Sequence, residues 1–520
     1  MSFNFSKSKF VAAWSHCNKY AWLDKHVPNE KTPPSDFTES LFDNGNKVGA
    51  LAQEFFNVDV DVTTTKEDGS LDIIAMVAKT KDCIAKGVQV IAEAAFDFNG
   101  LYCAVDILKR NADGGYNIYE VKSSKIDTNK YTQYSGVKEK YVMDAAYQQY
   151  VLKNCKINVN KVNVVLLSRG YVREKDLELD NYFVVCDVTS YTTALQKEVG
   201  AKLAEIEGVL KNAAEPKQDF IKNCNECDYF TYCSRNIAKP SVFDIYDLNF
   251  KVKCDLYNKG VSFFDAPKHA KTIKGASLKQ IEYCNRPNDT YVDKEKINEF
   301  LDSLEFPLYS LDFETYQAVV PEFEGVQPYD AIPFQYSLHV MKVADGDYNI
   351  DSNDIEERHF LDISGKDCRR AIAESLVKDI PYGACVIAYN TESVEKKIIE
   401  KLASQFPDLA VHLLSFKYRD PKPLFQNGYC YNTKMWKSFS IKSVLPALYP
   451  NEAEMDYHNL EGSIRNGQQA MTAIEKTKDL SLEEVEQIKQ DLIRYCALDT
   501  FALVKIIHKL YEVTKKKGVL

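Results

Sequence analysis

Apolar and polar positions along this chain follow two periods, and the changes of period mark out its elements. Val88 to Asp97 is an apolar, β-branched run that stops at Asn99-Gly100, after which Tyr102 to Ile107 and Tyr116 to Val121 repeat the strand pattern. Asn-Gly is a strong hairpin signal, because both central residues of a tight two-residue turn need positive φ. Two hairpins in series are expected. Helical spacing of apolar residues appears before them, over Phe10 to Leu23 and Lys47 to Phe56, and after them over Tyr141 to Lys153. A further β run, Val162 to Leu167, and a helical stretch near 190–215 complete the first half.

The second half opens on a strand, Leu308 to Thr315, followed by strands over Pro333 to Met341 and Cys385 to Asn390. The last of these runs into a helix starting near Glu392, and Glu483 to His508 reads as one long helix. Between the halves, Phe243 to Pro307 holds Pro267, Gly275 and Pro287 with no clear catalytic residue, and Glu305-Phe-Pro307 marks its end. The expected organisation is a domain over 1–240, a connector with short helices over 241–304, and a domain over 305–520, all α/β (α+β).

Side chains alternate across a strand, so Glu120 and Lys122 share a face, and antiparallel pairing can bring Asp106 beside them. Two carboxylates and an ammonium then converge. Carboxylate oxygens suit Mg²⁺ or Mn²⁺, and a nearby lysine can orient a water and offset charge developing on a phosphoryl group. The alternative is a salt-bridged strand face. Glu54 could project beneath the same sheet from its helix, and Gln148 lies in the helix that follows.

Composition narrows the classes. With 520 residues, the chain is long enough for two to four domains. No window approaches the roughly 18 consecutive apolar residues of a membrane span, and the N-terminus has no apolar signal region, so no membrane partner and a cytoplasmic location are expected. The net charge of −10 gives no global attraction to nucleic acid. Any such binding has to come from local basic groups or from metal ions.

Fourteen cysteines without a secretory signal argue for metal ligands or buried apolar residues rather than disulfides. Cys224, Cys227 and Cys233 place three thiols within ten residues, which suits a structural metal that needs a fourth ligand. Cys17 near the N-terminus can supply it and would then staple the ends of the first domain. Spacing alone leaves zinc and an iron–sulfur cluster both open.

Taken together, Glu54, Asp106, Glu120-x-Lys122 and Gln148, bracketed by Cys17 and Cys224/Cys227/Cys233, resemble the RecB-type branch of PD-(D/E)XK nucleases. The resemblance spans about residues 10–240 and is to the iron–sulfur nucleases that include the CRISPR adaptation exonucleases and the AddAB helicase–nucleases. It implies a restriction-endonuclease-like fold and a [4Fe–4S] cluster on Cys17, Cys224, Cys227 and Cys233. Asp106 and Glu120 would bind Mg²⁺ or Mn²⁺, Lys122 would orient water, Glu54 would be an auxiliary ligand and Gln148 a support. Many members have a histidine where this helix offers Gln53 or Glu54.

In the second half, Asp312 and Glu314 lie two apart on a strand, and Tyr495 and Asp499 lie four apart on a helix, so each pair shares a face. Singly, these read as solvated or salt-bridged side chains. With Asn390 and a following acid they resemble the DEDDy 3′–5′ exonucleases, which are ribonuclease H-like. There, four carboxylates hold two metal ions and the tyrosine positions the attacking water. The resemblance implies Asp312, Glu314, Glu395 and Asp499 as ligands and Tyr495 on the nucleophile. Glu395 stands for the usual aspartate, one residue late. The whole chain is similar to a little-studied bacterial family that fuses the two nuclease types.

The function implied is metal-dependent hydrolysis of DNA phosphodiesters, with single-stranded DNA or ends as substrate, in defence or repair. Two rival readings stand beside it: one active nuclease domain with the other a nucleic-acid-binding platform, and a non-enzymatic scaffold.

Overall fold

The structure is a computed structural model that describes residues 5–127, 136–286, 289–342, 355–392, 394–459, 462–476 and 480–515. The chain is mixed α/β and divides into two compact units, Met1–Asn236 with Ala318–Asp330, and Ile237–Gln317 with Ala331–Leu520. Among the described residues no helix is long and apolar enough to cross a membrane.

The first unit is built on a seven-stranded mixed sheet. Its strands are β1 (Phe5–Ser6), β2 (Val60–Asp61), β3 (Val90–Phe98), β4 (Leu101–Arg110), β5 (Tyr116–Ile126), β6 (Val159–Ser168) and β7 (Phe183–Asp187), in the order β2-β3-β4-β5-β6-β7. The β3–β4 turn has Asn99 at φ 53° and Gly100 at φ 85°, the positive pair that the dipeptide predicts. β4 and β5 pair antiparallel only from Ile107–Tyr119 to Arg110–Tyr116, and then diverge. β1 pairs parallel with the far end of β4, Phe5 against Leu101 and Ser6 against Tyr102. The chain therefore enters the sheet beside the gap that opens between β4 and β5.

Helices α1 (Lys7–Ser15), α2 (Asn18–His26), α3 (Asp36–Phe55), α4 (Ile73–Lys86) and α5 (Glu139–Asn154) belong to this unit. One helix was expected over Phe10 to Leu23. Cys17 divides it, with extended backbone (φ −165°, ψ 165°) at the start of α2. α4 starts on Asp72, whose carboxylate accepts from the Ala75 N–H at 3.0 Å, and stops on Gly87 at φ 72°. The 190–215 stretch forms two helices, Thr189–Ala194 and Gln196–Lys211. α5 is buried on nearly all sides. Its Tyr147 stacks on Phe10 with centroids 4.8 Å apart and donates a 2.6 Å hydrogen bond to the Phe5 carbonyl, which fixes the N-terminal segment.

Residues Ala318–Asp330 pack on the first unit near Lys122. Tyr329 donates to the Ser123 carbonyl at 2.7 Å, Lys125 to the Pro328 carbonyl at 2.7 Å, and Tyr182 to the Val319 carbonyl at 3.0 Å.

The second unit has a two-stranded ribbon of β8 (Thr290–Val292) and β14 (Cys430–Asn432). Its five-stranded sheet contains β9 (Leu308–Gln317), β10 (Ala331–Met341), β11 (Ile355–Leu361), β12 (Cys385–Ile387) and β13 (Lys417–Arg419). The order is β11-β10-β9-β12-β13, so β9 is central; β10 runs antiparallel to it and β12 parallel. The long helix Leu482–Lys515 buries Leu492, Leu503, Ile506, Ile507 and Leu510 in the core that lies over this sheet. Polar contacts set its register: Ser310 donates to the Thr500 carbonyl at 2.8 Å, and Gln335 to the Leu492 carbonyl at 2.9 Å. Residues 241–304, expected as a connector, carry the helices Phe250–Asn258, Ala276–Tyr283 and Lys294–Leu301 and fall within this unit.

Candidate functional site

In the first unit, acidic and basic side chains meet where β4 and β5 diverge. Strand alternation puts Tyr116, Ile118 and Glu120 on the buried side of β5, so a carboxylate, fully buried, occupies the third inward position. Four donor contacts reach it. Lys122 Nζ lies 2.5 Å from Oε1, Gln148 Nε2 lies 2.6 Å from Oε2, and Lys7 Nζ is 3.0 Å from both oxygens. Asp106 Oδ2 accepts the Val121 N–H at 2.7 Å, a backbone donor released by the separation of the strands, while Oδ1 faces Lys7 Nζ at 3.5 Å. Asp144, one helical turn before Gln148 on α5, accepts from Lys122 at 2.8 Å and from Gln148 at 3.0 Å.

Glu93 completes the acidic set. It stands opposite Asp106, between the ladder pairs Ala92–Ile107 and Ala94–Val105, with φ +54°. A non-glycine residue in that region is strained, and such strain gathers at sites where a side chain must be aimed. Burial first, then Asp106, pushes the Glu93 carboxyl up to about 7. Burial, then Asp106 and Asp144, also raises Glu120, against the two ammoniums. Burial disfavours charge on Lys7, yet Asp106, Glu120 and Asp144 hold it well above the usual lysine range. Lys122 is likewise raised, because Glu120 and Asp144 outweigh its burial. Lys7, Glu93, Asp106, Glu120 and Lys122 line a cavity of about 490 Å³ that is also lined by α3.

α3 presents Gln53 to this cavity, where it also donates to Asp61 at 2.9 Å. Glu54, expected as the auxiliary ligand, is exposed and absent from the cavity wall. Neighbouring helical residues point about 100° apart, so only one of the two can face inward.

Cys17 and the three later cysteines lie close enough to influence one another electrostatically. Burial first, then Cys17, Cys224 and Cys233, pushes the Cys227 thiol up to about 12. Cys17 also contributes to raising Cys224 and Cys233, after burial. The surrounding segments are tied together: Asn223 contacts the Ser15 carbonyl, and His16 Nδ1 lies 2.8 Å from the Asn223 carbonyl.

In the second unit, β9 carries Asp312 and Glu314 toward the long helix. Ligand atoms of Asp312, Glu314 and Cys496 all lie within 4.8 Å of one another. Cys496 Sγ is 3.7 Å from Asp312 Oδ2. Asp499, one turn beyond Tyr495, accepts from Tyr457 at 2.6 Å. Glu395 enters from the first turn of the helix Glu395–Gln405, three residues later than the expected start near Glu392, after a turn with Asn390 at φ 69°. Asp420 anchors that turn by accepting the N–H groups of Asn390 and Thr391 at 3.1 and 3.2 Å. Glu395 is buried, and among the described residues no donor reaches its Oε2.

This cluster is predominantly acidic. Burial, then Asp499, Glu314 and Glu395, raises Asp312. Burial and Asp499 raise Glu314, and burial with Asp420 and Asp499 raises Glu395. Lys442 stands at the rim, donating to Tyr495 Oη at 2.8 Å and lying over the Tyr457 and Tyr495 rings. Desolvated carboxylates with an orphaned oxygen are the donor set that hard divalent cations take. Cys496 adds a soft ligand, which suits Mn²⁺ or Zn²⁺ better than Mg²⁺.

The structure therefore brings Asp106, Glu120, Lys122 and Gln148 together, and separately Asp312, Glu314, Glu395, Tyr495 and Asp499. Sequence reasoning missed Lys7, Glu93 and Asp144 in the first cluster and Lys442, Tyr457 and Cys496 in the second. An acid inside the apolar run Val90–Phe96, and Asp144 four residues before Gln148, were the available signals.

A family model described as Domain of unknown function (DUF2779) matches residues 309–440. That span holds Asp312, Glu314 and Glu395, and excludes Tyr495, Asp499 and the whole first cluster. No curated protein matches the chain.

Proposed function

We propose that this protein is a metal-dependent nuclease that hydrolyses DNA phosphodiester bonds, with single-stranded DNA or DNA ends as substrate, in the cytoplasm and in a defence or repair setting. The observation that carries this reading is the convergence of Asp312, Glu314, Glu395 and Asp499, from three distant parts of the chain, into one largely buried acidic cluster. Buried like charges are costly, and they persist where a divalent cation is to be held. The central position of β9 and the docking of Tyr495 and Asp499 over it support the DEDDy, ribonuclease H-like reading of the second unit. The gap between β4 and β5 supports the PD-(D/E)XK reading of the first.

In this reading Mg²⁺ or Mn²⁺ supplies Lewis-acid stabilisation of the phosphoryl oxygens and a nucleophilic water. Asp106 and Glu120, with Glu93 facing them, would hold it in the first unit. Lys122, held by Asp144, would orient the water, and Gln148 would steady Glu120. In the second unit Asp312, Glu314, Glu395 and Asp499 would be the ligands, and the Tyr495 hydroxyl, gripped by Lys442, would position the water. Cys17, Cys224, Cys227 and Cys233 would hold a [4Fe–4S] cluster with an architectural role.

A second reading keeps one unit active and makes the other a nucleic-acid-binding platform. Glu395 favours it, because it is a glutamate one residue later than the aspartate of the exonuclease pattern. The test is cleavage of end-labelled single- and double-stranded DNA and RNA, with and without Mn²⁺, by wild type, Lys122→Ala, Asp312→Ala and the double variant. Partial loss in each single variant and complete loss in the double variant are expected. Loss in one alone assigns the single working unit, and no metal-dependent cleavage by wild type leaves a non-enzymatic scaffold.

A further inference from the structure

The contacts around Glu120 are divided in a way that singles out one residue. Lys122 and Gln148 approach from outside, one on each oxygen, at 2.5 and 2.6 Å. The fork between the oxygens is left to Lys7, whose Nζ is equidistant from both at 3.0 Å. Asp106 is divided in the same way: the Val121 N–H takes Oδ2, and Oδ1 points at Lys7. The Lys7 ammonium thus stands where the open fork of Glu120 and the open oxygen of Asp106 converge, which is where a divalent cation bound by both would have to sit.

We propose that Lys7 is a resident counter-cation of the first site, which an incoming divalent ion must displace and which limits that site to one such ion. The proposal rests on the metal-binding reading given above. Four carboxyl groups, Glu93, Asp106, Glu120 and Asp144, and two ammoniums, Lys7 and Lys122, meet in this cluster, so acidic groups outnumber basic ones and the place that Lys7 fills is one a cation would take. An ammonium and a divalent ion within about 3 Å of the same carboxylate repel one another strongly in a buried site, so they alternate there.

The fold suits this exchange. The Lys7 backbone is anchored, since Phe5 N–H donates to the Gly100 carbonyl at 2.8 Å and the Phe5 carbonyl accepts from Tyr147. Its side chain lines the cavity and is 20% exposed, so it can swing along the wall without moving the strand. Once displaced it stays at the mouth, where a phosphate would arrive. Lys122 cannot exchange in the same way, being held by Asp144 as well.

The experiment is a Mn²⁺ titration of the full chain, read by the electron paramagnetic resonance of free Mn²⁺, in an Asp312→Asn/Asp499→Asn background that silences the second cluster. The expected result is one ion in the Lys7 protein, binding at least tenfold tighter in Lys7→Gln and Lys7→Ala, and no tighter in Lys7→Arg. Glu120→Gln should abolish binding throughout. Equal or weaker affinity in Lys7→Gln, two ions in the Lys7 protein, or no binding in any variant would overturn the proposal. If Lys7→Ala fails to fold, the Gln and Arg variants carry the comparison. Absence of DNA cleavage with the affinity pattern intact would overturn the nuclease reading and uphold the exchange at Lys7.

Discussion

Tyr457 donates a 2.6 Å hydrogen bond to Asp499 Oδ1, across 42 residues of sequence and inside the core of the second unit. The carboxylate is buried beside Asp312 and Glu314, and this bond opposes the rise that burial imposes on it. Tyr495 also hydrogen-bonds this carboxylate, so two tyrosines hold Asp499 in place.

Tyr457→Phe keeps the ring and removes the bond. A buried hydrogen bond to a charged group contributes about 1.5–3 kcal/mol, so the second cluster should bind Mn²⁺ about tenfold more weakly. Calorimetric titration in a Glu120→Gln background, which silences the first cluster, measures this, and unchanged affinity would show that Asp499 does not depend on Tyr457.

Cys227→Ala removes a thiol from a set that joins segments far apart in sequence. If the proposed cluster closes this loop it restricts the unfolded chain, so the substitution should lower the melting temperature of the first unit by about 10 °C. On the [4Fe–4S] reading, anaerobically purified wild type should be brown with broad visible absorbance, and Cys227→Ala should be colourless. A colourless wild type containing zinc would replace the cluster by a zinc staple.

His339 gives the second unit a defined acid sensitivity. Burial holds its imidazole below the ordinary value, and Nδ1 lies 2.8 Å from Thr500 Oγ1. The unfolded chain takes up the proton near pH 6.5 while the folded chain resists it, so stability is full above about 6.5 and declines as pH falls. His339→Asn should lose about 1 kcal/mol at pH 7.5 and flatten the decline between about pH 6.5 and 5. Urea unfolding at a series of pH values tests the slope.

Gly428 and Gly275 approach one another back to back. A Cβ on Gly428 would lie 2.8 Å from the Gly275 carbonyl carbon and 2.9 Å from the Ala276 nitrogen, at φ +71°. Gly428→Ala should therefore destabilise the second unit by about 2–4 kcal/mol, as strain and overpacking combine. Gly383→Ala, at φ +73° with open space around it, should cost less. Equal losses would mean that backbone conformation alone sets the cost.

Local patterning carried a good deal of the site. Period-two alternation placed Glu120 and Lys122 on one face, Asn99-Gly100 placed the hairpin that brings Asp106 back, and helical spacing paired Tyr495 with Asp499. Residues whose roles depend on a neighbour from elsewhere were not legible. Gln53 and Glu54 are adjacent on α3, and only the angle at which that helix packs selects Gln53 for the cavity. Lys7 sits in an unremarkable polar stretch, and its importance arises from the divergence of β4 and β5, which no local pattern announces. Cys17 appeared to lie within a continuous helix, because its apolar neighbours keep helical spacing across the break.

What the sequence determined by itself is the set of short-range relations: which side chains share a strand face or a helix face, where turns need positive φ, and which acids are candidates for metal binding. The tertiary structure decided which of those faces meet. Buried charges are tolerated only where distant elements bring counter-charges or ligands to them, as α1 and α5 do for Glu120 and as the long helix does for Asp312.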